Sequence, residues 1–201
     1  MNRNPARERL LASMSLAAVI AASGRAFGMQ QLNCDYPEIA NIHPAILPVD
    51  LESGANNGIW ISLKGYAGCC VVLHKKAGTA GDDPIFTLKQ STDVTNSQSD
   101  SKALTFTRVY SKLHATTVPG AWTLNTQAAA GTYTDDTSAE KSGIIAVDVK
   151  AEDLDQANGF DCLRLEIPDT GSAGAELAGA VYILYGPKHS GIAAQLSPIA
   201  N

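Results

Sequence analysis

Two stretches of sequence decide the fold: Ile59 to Leu73, IWISLKGYAGCCVVL, and Ala146 to Ile167, AVDVKAEDLDQANGFDCLRLEI. In each of them strand-like alternation flanks a short polar turn. Side chains of a β-strand point alternately to opposite faces of the sheet, so this alternation predicts strands. The chain between the two stretches is rich in Ser, Thr, Gly and Asp, the residues typical of loops. The two stretches therefore frame an all-β domain.

The same pattern recurs along the chain as about eight short strands with turn-rich loops between them, the spacing typical of a sandwich or barrel. We predict an all-β fold, an antiparallel β-sandwich or jelly-roll-like domain, over residues 58–187. One helical turn is expected over 150–157, closed by Asn158-Gly159. The predicted strands are 59–64, 69–74, 84–90, 103–110, 121–125, 144–149, 160–167 and 178–185.

Composition narrows the range of partners. The net charge is −5, and the acidic residues are scattered with no basic run, so we predict no nucleic-acid partner. Only 17% of the residues are charged, against roughly a quarter in an ordinary globular protein. Such a surface fits either a protein that is largely covered by partners or a β-rich protein with a Ser/Thr surface.

The four cysteines do not suggest a disulfide framework. Cys69 and Cys70 are neighbours on a predicted strand and point to opposite faces, so they cannot both meet one partner. Cys34 lies in a Pro-containing stretch, Cys162 lies in a predicted strand, and no spacing matches a zinc site. We predict free, mostly buried thiols, which fits synthesis in a reducing compartment.

Residues 1–28 fit two interpretations. Three arginines, an apolar run over 10–22 and Gly24-Arg25-Ala26 resemble a secretory signal with its cleavage site. The same residues also form a good helix, with Asn4 as its cap, Pro5 in its first turn and Gly24 at its end. The apolar run is short for a membrane span, and we predict no membrane partner.

The stretch that follows favours the helical interpretation. Residues 29–57 contain Pro37, Pro44 and Pro48 with little periodicity, which predicts an extended connector. A connector of this length is unusual in a free monomer, so we predict that 1–28 is an assembly arm and that 188–201 is a C-terminal tail. The alternative is that the helix packs on its own β domain. The predicted partner-binding residues of the arm are Leu10, Leu11, Met14, Leu16, Val19 and Ile20.

No catalytic signature is present in the sequence. A nucleophile elbow, a P-loop and a dinucleotide-binding glycine pattern are all absent, and the histidines have no metal-ligand spacing (His43, His74, His114, His189). Three acidic clusters could supply oxygen to Ca²⁺, although solvated loop carboxylates explain them better. They are Asp82-Asp83, Asp135-Asp136 and the set Glu152, Asp153, Asp155. We predict no catalytic residue, no metal and no cofactor.

Five aromatic residues leave carbohydrate binding open. Aromatic side chains on neighbouring strands can form a platform that stacks against sugars, although they more often belong to a core or an interface. The five are Trp60, Tyr66, Tyr110, Trp122 and Tyr133.

A series of motifs occurs in order between residues 58 and 190: Ser62-Leu63-Lys64-Gly65-Tyr66, Thr87-Leu88-Lys89-Gln90, Lys102-Ala103-Leu104-Thr105-Phe106-Thr107, Val147-Asp148-Val149, Asp153-Leu154-Asp155, Asn158-Gly159-Phe160-Asp161-Cys162-Leu163-Arg164 and Val181-Tyr182-Ile183-Leu184-Tyr185-Gly186. Together they resemble a family of small virion proteins of tailed bacteriophages, whose genes typically lie close to that of the major capsid protein. These motifs belong to the fold and contain no catalytic group.

The resemblance implies a decoration or cement protein that binds the major capsid protein on the outside of the shell, often as a trimer. It also implies synthesis in the cytoplasm of the host bacterium and a place in the virion. The longer helical N-terminus departs from the family pattern and leaves the mode of attachment open. The alternative is a secreted β-sandwich module, with a cleaved signal peptide, that binds carbohydrate or a surface ligand.

Overall fold

The computed structural model describes residues 39–95, 100–114, 120–135, 141–171 and 175–188. Within these ranges the chain forms twelve β-strands in two antiparallel sheets, which confirms the all-β prediction and has the arrangement of a β-sandwich. The predicted arm over 1–28 and most of the predicted tail lie outside the described residues. The same is true of the six predicted arm contacts, Leu10, Leu11, Met14, Leu16, Val19 and Ile20.

Sheet 1 contains the longer strands and all of its pairings are antiparallel. Its strands in spatial order are β1 (Ala40–Asp50), β12 (Leu177–Tyr185), β4 (Gly68–Lys75), β10 (Ser142–Lys150), β7 (Phe106–His114) and β8 (Thr123–Ala130).

Sheet 2 is built around two strands, β11 (Cys162–Ile167) and β5 (Ile85–Ser91), which pair with each other in antiparallel register. Four short strands complete it: β2 (Asn56–Asn57) and β3 (Ile61–Ser62) pair with β11, and β6 (Lys102–Ala103) and β9 (Thr132–Thr134) pair with β5.

The core lies between the two sheets and follows from the alternation of side chains. On β4, Cys69, Val71 and Leu73 are fully buried, whereas the residues between them are partly exposed. On β11 the same holds for Leu163 and Leu165. The residues from both inner faces form one hydrophobic cluster, so burial of apolar surface between the sheets is the main stabilising contribution.

The predicted connector over 29–57 differs from the structure in its second half. Residues Ala40–Asp50 form β1, which pairs with β12 at the edge of sheet 1. An edge strand leaves one row of backbone groups unpaired, so it can contain Pro44 and Pro48, which lack a backbone N–H. The register with β12 also shifts twice near these prolines, between Pro44 and Ile46 and between Ile46 and Val49. The argument that a long free connector favours an assembly arm therefore no longer applies to 40–57.

One predicted strand is in fact two. The pattern over 103–110 predicts a single strand, but β6 belongs to sheet 2 and β7 to sheet 1. Leu104 lies at the crossing between the sheets, is 2% exposed, and donates its backbone N–H to the Leu88 carbonyl. The predicted helical turn over 150–157 consists of two short 3₁₀ turns, 151–153 and 156–158, and Gly159 ends the second with φ of 81°.

The hydroxyl of Tyr182 joins the two sheets inside the core. Tyr182 lies on β12 and is fully buried, and its hydroxyl accepts the Leu165 N–H at 2.8 Å and donates to the Ile59 carbonyl at 3.0 Å. Desolvation by burial raises the pKa of this phenol, so it stays neutral and can serve as donor and acceptor at once. The Leu165 N–H on β11 of sheet 2 and the Ile59 carbonyl, between β2 and β3, thus depend on one side chain of sheet 1.

We expect Tyr182→Phe to lower the free energy of unfolding by about 1–3 kcal/mol, because the substitution leaves the buried Leu165 N–H and the Ile59 carbonyl without their partner. Urea denaturation followed by circular dichroism measures the change. Tyr185→Phe is the matched control, since its hydroxyl bonds the Asp148 carboxylate at the surface, and we expect it to stay within about 0.5 kcal/mol. Equal losses for the two variants would contradict the prediction.

Candidate docking surface on the outer face of sheet 1

The outer face of sheet 2 has the polar character that a solvated sheet requires. Thr87 and Lys89 on β5 and Arg164 and Glu166 on β11 point away from the core. Glu166 forms ion pairs with Lys89, at 2.9 Å, and with Arg164, whose guanidinium lies 4.6 Å from the centre of the Trp60 ring. This alternation of apolar and polar residues is normal for an antiparallel sheet with one face in water.

The outer face of sheet 1 is different, because its central strands carry apolar residues on both faces. Ile42 of β1, Ile183 of β12 and Cys70 of β4 follow one another across the sheet in one row of register pairs. Pro44, Val181, Val72 and Ala146 form the next row. We call the following set the apolar face: Ile42, Pro44, Cys70, Val72, Ile144, Ala146, Val181 and Ile183.

The apolar face is accessible at its edge and only partly shielded at its centre. Ile42 is 54% exposed, whereas Ile183, Val181 and Val72 are half-buried by their neighbours in the sheet. Strands that carry apolar residues on both faces are typical of sheets that are covered on both sides. A contiguous exposed apolar patch bounded by polar residues marks an interaction site.

At one end the apolar face continues into a shallow groove of about 670 Å³ beside the irregular part of β1. Leu47 and Leu177 border it and are 71% and 54% exposed. Gly179 contributes no side chain to this groove, which leaves room between His74 and the β1 backbone. Large exposed apolar side chains therefore extend the surface toward this end of the sheet.

At the other end a polar groove of about 380 Å³ borders the apolar face. Arg108, Tyr110, Asp148 and Lys150 line it, and the guanidinium carbon of Arg108 lies 5.7 Å from the centre of the Tyr110 ring. The Tyr185 hydroxyl donates to Asp148 Oδ1 at 2.9 Å, and burial followed by this carboxylate raises the pKa of the phenol. Charges of both signs therefore bound the apolar face on this side.

Cys70 is the thiol on the apolar face. Burial, and then the carboxylate of Asp148 directly across the strand pair, raise its pKa to about 11, so it is a neutral thiol near pH 7. Cys69 and Cys162 are also free and buried, as predicted, and burial is the main cause that raises their pKa. Cys34 lies outside the described residues.

The other predicted candidates are dispersed. Trp60 is 2% exposed beneath the Arg164 guanidinium and Tyr66 is 0% exposed in the core, so the five aromatic residues do not assemble into one sugar-stacking platform. Trp122 is exposed immediately before β8, and the ammonium of Lys112 lies 6.0 Å from its ring centre. Of the described histidines, His43 Nδ1 lies 3.1 Å from the Pro44 carbonyl, whereas His74 and His114 border the apolar groove.

The acidic clusters are mostly surface groups with local partners. The Asp153 carboxylate accepts the Lys150 N–H at 2.8 Å, and Asp155 pairs with the ammonium of Lys102, which lowers the pKa of this carboxyl. The interpretation of Asp135 as a solvated loop carboxylate is wrong, because it is 2% exposed and lies against the ammonium of Lys75. Within the described ranges no three His, Cys, Asp or Glu side chains gather as metal ligands.

Sequence reasoning missed the apolar face, although a signal for it is present. The segments GCCVVL of β4, GIIAV of β10 and AVYIL of β12 place apolar residues at consecutive positions, whereas CLRLEI of β11 alternates. Consecutive apolar residues in a strand predict burial on both faces. Which strands are neighbours decides whether these residues join into one patch.

No family model, no curated protein and no solved structure matches the chain. In the part of the chain that the structure describes, no helix is both long enough and apolar enough to cross a membrane.

We expect Ile42→Asp to reduce the fluorescence of a dye that binds exposed apolar surface, because it places a charge at the accessible edge of the apolar face. The free energy of unfolding should change by less than about 1 kcal/mol, since more than half of this side chain is already in water. Thr87→Asp on the outer face of sheet 2 is the control and should leave dye binding unchanged. Equal fluorescence in the two variants would show that the dye binds elsewhere.

We expect iodoacetamide to modify Cys70 slowly at pH 8. A pKa about two units above that of an ordinary thiol leaves about a hundredfold less thiolate, the reactive form, and the rate should rise with pH toward 11. Peptide mass spectrometry measures the rate. Asp148→Asn removes a negative charge facing the thiol and should accelerate the reaction, whereas Asp169→Asn in a distant loop should not. A rate equal to that of the denatured chain would refute the assignment.

Proposed function

We propose that this chain is a structural protein that binds and stabilises an assembled bacteriophage capsid, as a decoration or cement protein without catalytic activity. The observation that carries the proposal is the apolar face on the outside of sheet 1, which a solvated sheet would not present. The resemblance of residues 58–190 to small virion proteins supplies the partner. The apolar face would contact the major capsid protein.

Such a protein needs only to bind the capsid, and its role requires no catalytic group. A protein that binds the assembled lattice and not its separated subunits stabilises the lattice by mass action. Repeated copies on a symmetric shell, and several chains joined in one oligomer, increase the overall affinity because the second contact is intramolecular. We therefore propose a homo-oligomer, with a trimer favoured, on the outer surface of the capsid.

Three features support the finer parts of the proposal. The free thiols Cys69, Cys70 and Cys162 fit synthesis in the reducing cytoplasm of a host bacterium. The apolar sequence over 10–22 fits a helical arm that orders when it docks on a partner. The succession of short antiparallel strands fits a jelly-roll-like sandwich.

Binding to preassembled capsids that lack the protein tests the proposal. We expect the wild-type chain to cosediment with expanded capsids and to raise their disassembly temperature, but not to bind free capsid subunits. Ile42→Asp should weaken cosedimentation by at least tenfold, since it buries a charge in the contact, whereas Thr87→Asp should bind like wild type. Quantitative mass spectrometry of purified virions gives the copy number.

Two outcomes would overturn the proposal. Absence from virions, or only a few copies in each particle, would exclude a cement role. Equal binding of Ile42→Asp and wild type would exclude the apolar face as the contact, even if the protein were abundant in the particle.

The polar groove favours one alternative, a secreted module that binds a small polar ligand such as a carbohydrate. Tyr110 offers an aromatic face there, and Arg108 and Asp148 offer a donor and an acceptor. In that case Tyr110→Ala should abolish binding to a glycan array while Ile42→Asp leaves it intact. N-terminal sequencing of the mature protein decides whether residues 1–28 are removed as a signal peptide.

A further inference from the structure

A fully buried cluster of three charged side chains lies between the two sheets. Lys75 Nζ is 3.2 Å from Asp135 Oδ2 and donates a hydrogen bond to Glu176 Oε1, also at 3.2 Å. The side chains of Lys75 and Glu176 are 0% exposed and that of Asp135 is 3% exposed. One amine and two carboxyl groups thus share a site from which bulk water is excluded.

The backbone fixes each member of the cluster. Lys75 is the last residue of β4 and continues the inward row of Cys69, Val71 and Leu73. Asp135 follows β9 of sheet 2, and its N–H donates to the Pro84 carbonyl at 3.4 Å.

Glu176 immediately precedes β12 of sheet 1, and its backbone is held on both sides. Its N–H donates to Asp50 Oδ1 at 3.0 Å, and its carbonyl accepts the Leu51 N–H at 2.9 Å. The three side chains therefore converge from three separate segments, and their mutual distances are set by both sheets.

As an ionic cluster this arrangement is costly. Removal of an ammonium or a carboxylate from water is costly, and among the described residues the Lys75 ammonium faces two carboxylates in the core. Lys89 and Glu166 form a closer pair, 2.9 Å apart, but Lys89 is 35% exposed and its charge is solvated. A reaction that removes two of the three buried charges would relieve the cost.

We propose that Lys75 and Asp135 condense to an intramolecular amide, an isopeptide bond, and that Glu176 transfers the protons. The buried site meets the needs of this reaction. Exclusion of water makes separated charges costly at this site, and it disfavours hydrolysis of the product. The fixed positions of the two groups supply the proximity that amide formation between free side chains lacks.

The contacts distinguish the roles of the two carboxyl groups. Glu176 Oε1 accepts a hydrogen bond from Lys75 Nζ, which is the geometry for taking a proton from the amine. Asp135 Oδ2 lies at the same distance but has no hydrogen-bond partner within the described residues. Asp135 therefore presents its carboxyl group to the amine as the electrophile.

The step balances without any further reactant. The lone pair of the neutral amine forms the bond from Lys75 Nζ to Asp135 Cγ, and Glu176 accepts a proton from Nζ. The bond between Cγ and one carboxyl oxygen breaks, Glu176 returns a proton to that oxygen, and one water leaves. The products are one amide and a Glu176 in its initial state, so each chain reacts once on itself.

The bond would tie sheet 1 to sheet 2 covalently, since β4 belongs to the first and the segment after β9 to the second. It closes a long loop of chain, which restricts the unfolded state in the way that a disulfide does. This route to a cross-link needs no oxidant. The inference does not rest on the proposed function, and it would apply equally to a secreted module.

Mass spectrometry of the purified full-length chain, denatured and reduced, tests the proposal. We expect trypsin to leave Lys75 uncleaved and to release one product in which residues 65–76 are joined to residues 113–141. Its mass should be lower by one water than the sum of the two peptides, and fragmentation should place the bond at Lys75 and Asp135. Release of the two separate peptides from the folded wild-type chain would overturn the proposal.

Three variants test the chemistry. Lys75→Met removes the nucleophile and should abolish the joined product. Asp135→Asn should still react but lose ammonia in place of water, which identifies the carbon that is attacked. Glu176→Gln keeps the size of the side chain and should lower the fraction joined at least tenfold; an unchanged fraction would refute its role in proton transfer.

Lys89→Met is the matched control, because it breaks an exposed ion pair with Glu166 and should leave the joined product at the wild-type level. Circular dichroism of each variant checks that it folds. If Glu176→Gln does not fold, the ammonia loss in Asp135→Asn still decides whether the bond forms, since a chain that merely holds a buried ion pair loses neither water nor ammonia.

Discussion

Two sheets packed face to face exclude water from the space between them, and every polar group in that space must find its partner there. The rest of this structure depends on how that constraint is met. Tyr182 meets it with one hydroxyl that bonds two backbone groups, the Leu165 N–H of sheet 2 and the Ile59 carbonyl, which shortly precedes β3 in sequence. Lys75, Asp135 and Glu176 meet it by pairing with one another, and an amide would meet it with fewer charges.

The outer faces of the two sheets differ in polarity. The outer face of sheet 2 carries Lys89, Arg164 and Glu166, which form ion pairs with one another, as in a sheet with one face in water. Sheet 1 turns Ile42, Val181 and other apolar residues outward, which lowers the solubility of a free molecule and strengthens a complex. A protein whose role is to attach to a larger surface gains from this asymmetry, and a cross-linked core would keep its docking face rigid.

The sequence predicted the strands well because their alternation is a local property. Predicted strands at 69–74, 84–90 and 178–185 differ by at most one residue at either end from β4, β5 and β12. The errors occur where the pairing of a segment with distant strands determines its secondary structure. Residues 40–50 contain prolines and little periodicity, and only pairing with β12 makes them a strand. The crossing at Leu104 interrupts a pattern that looks continuous along the chain.

The sequence by itself determined the all-β class, the strand segments and the free thiols, because alternation and cysteine spacing can be recognised within a few residues. Tertiary structure alone decided the apolar face and the buried cluster. Asp135 resembles any loop carboxylate until residues from three distant segments enclose it with Lys75. Burial and proximity between remote residues arise only when the sheets pack, and they determine whether a carboxylate is a solvated charge or part of a buried ionic cluster.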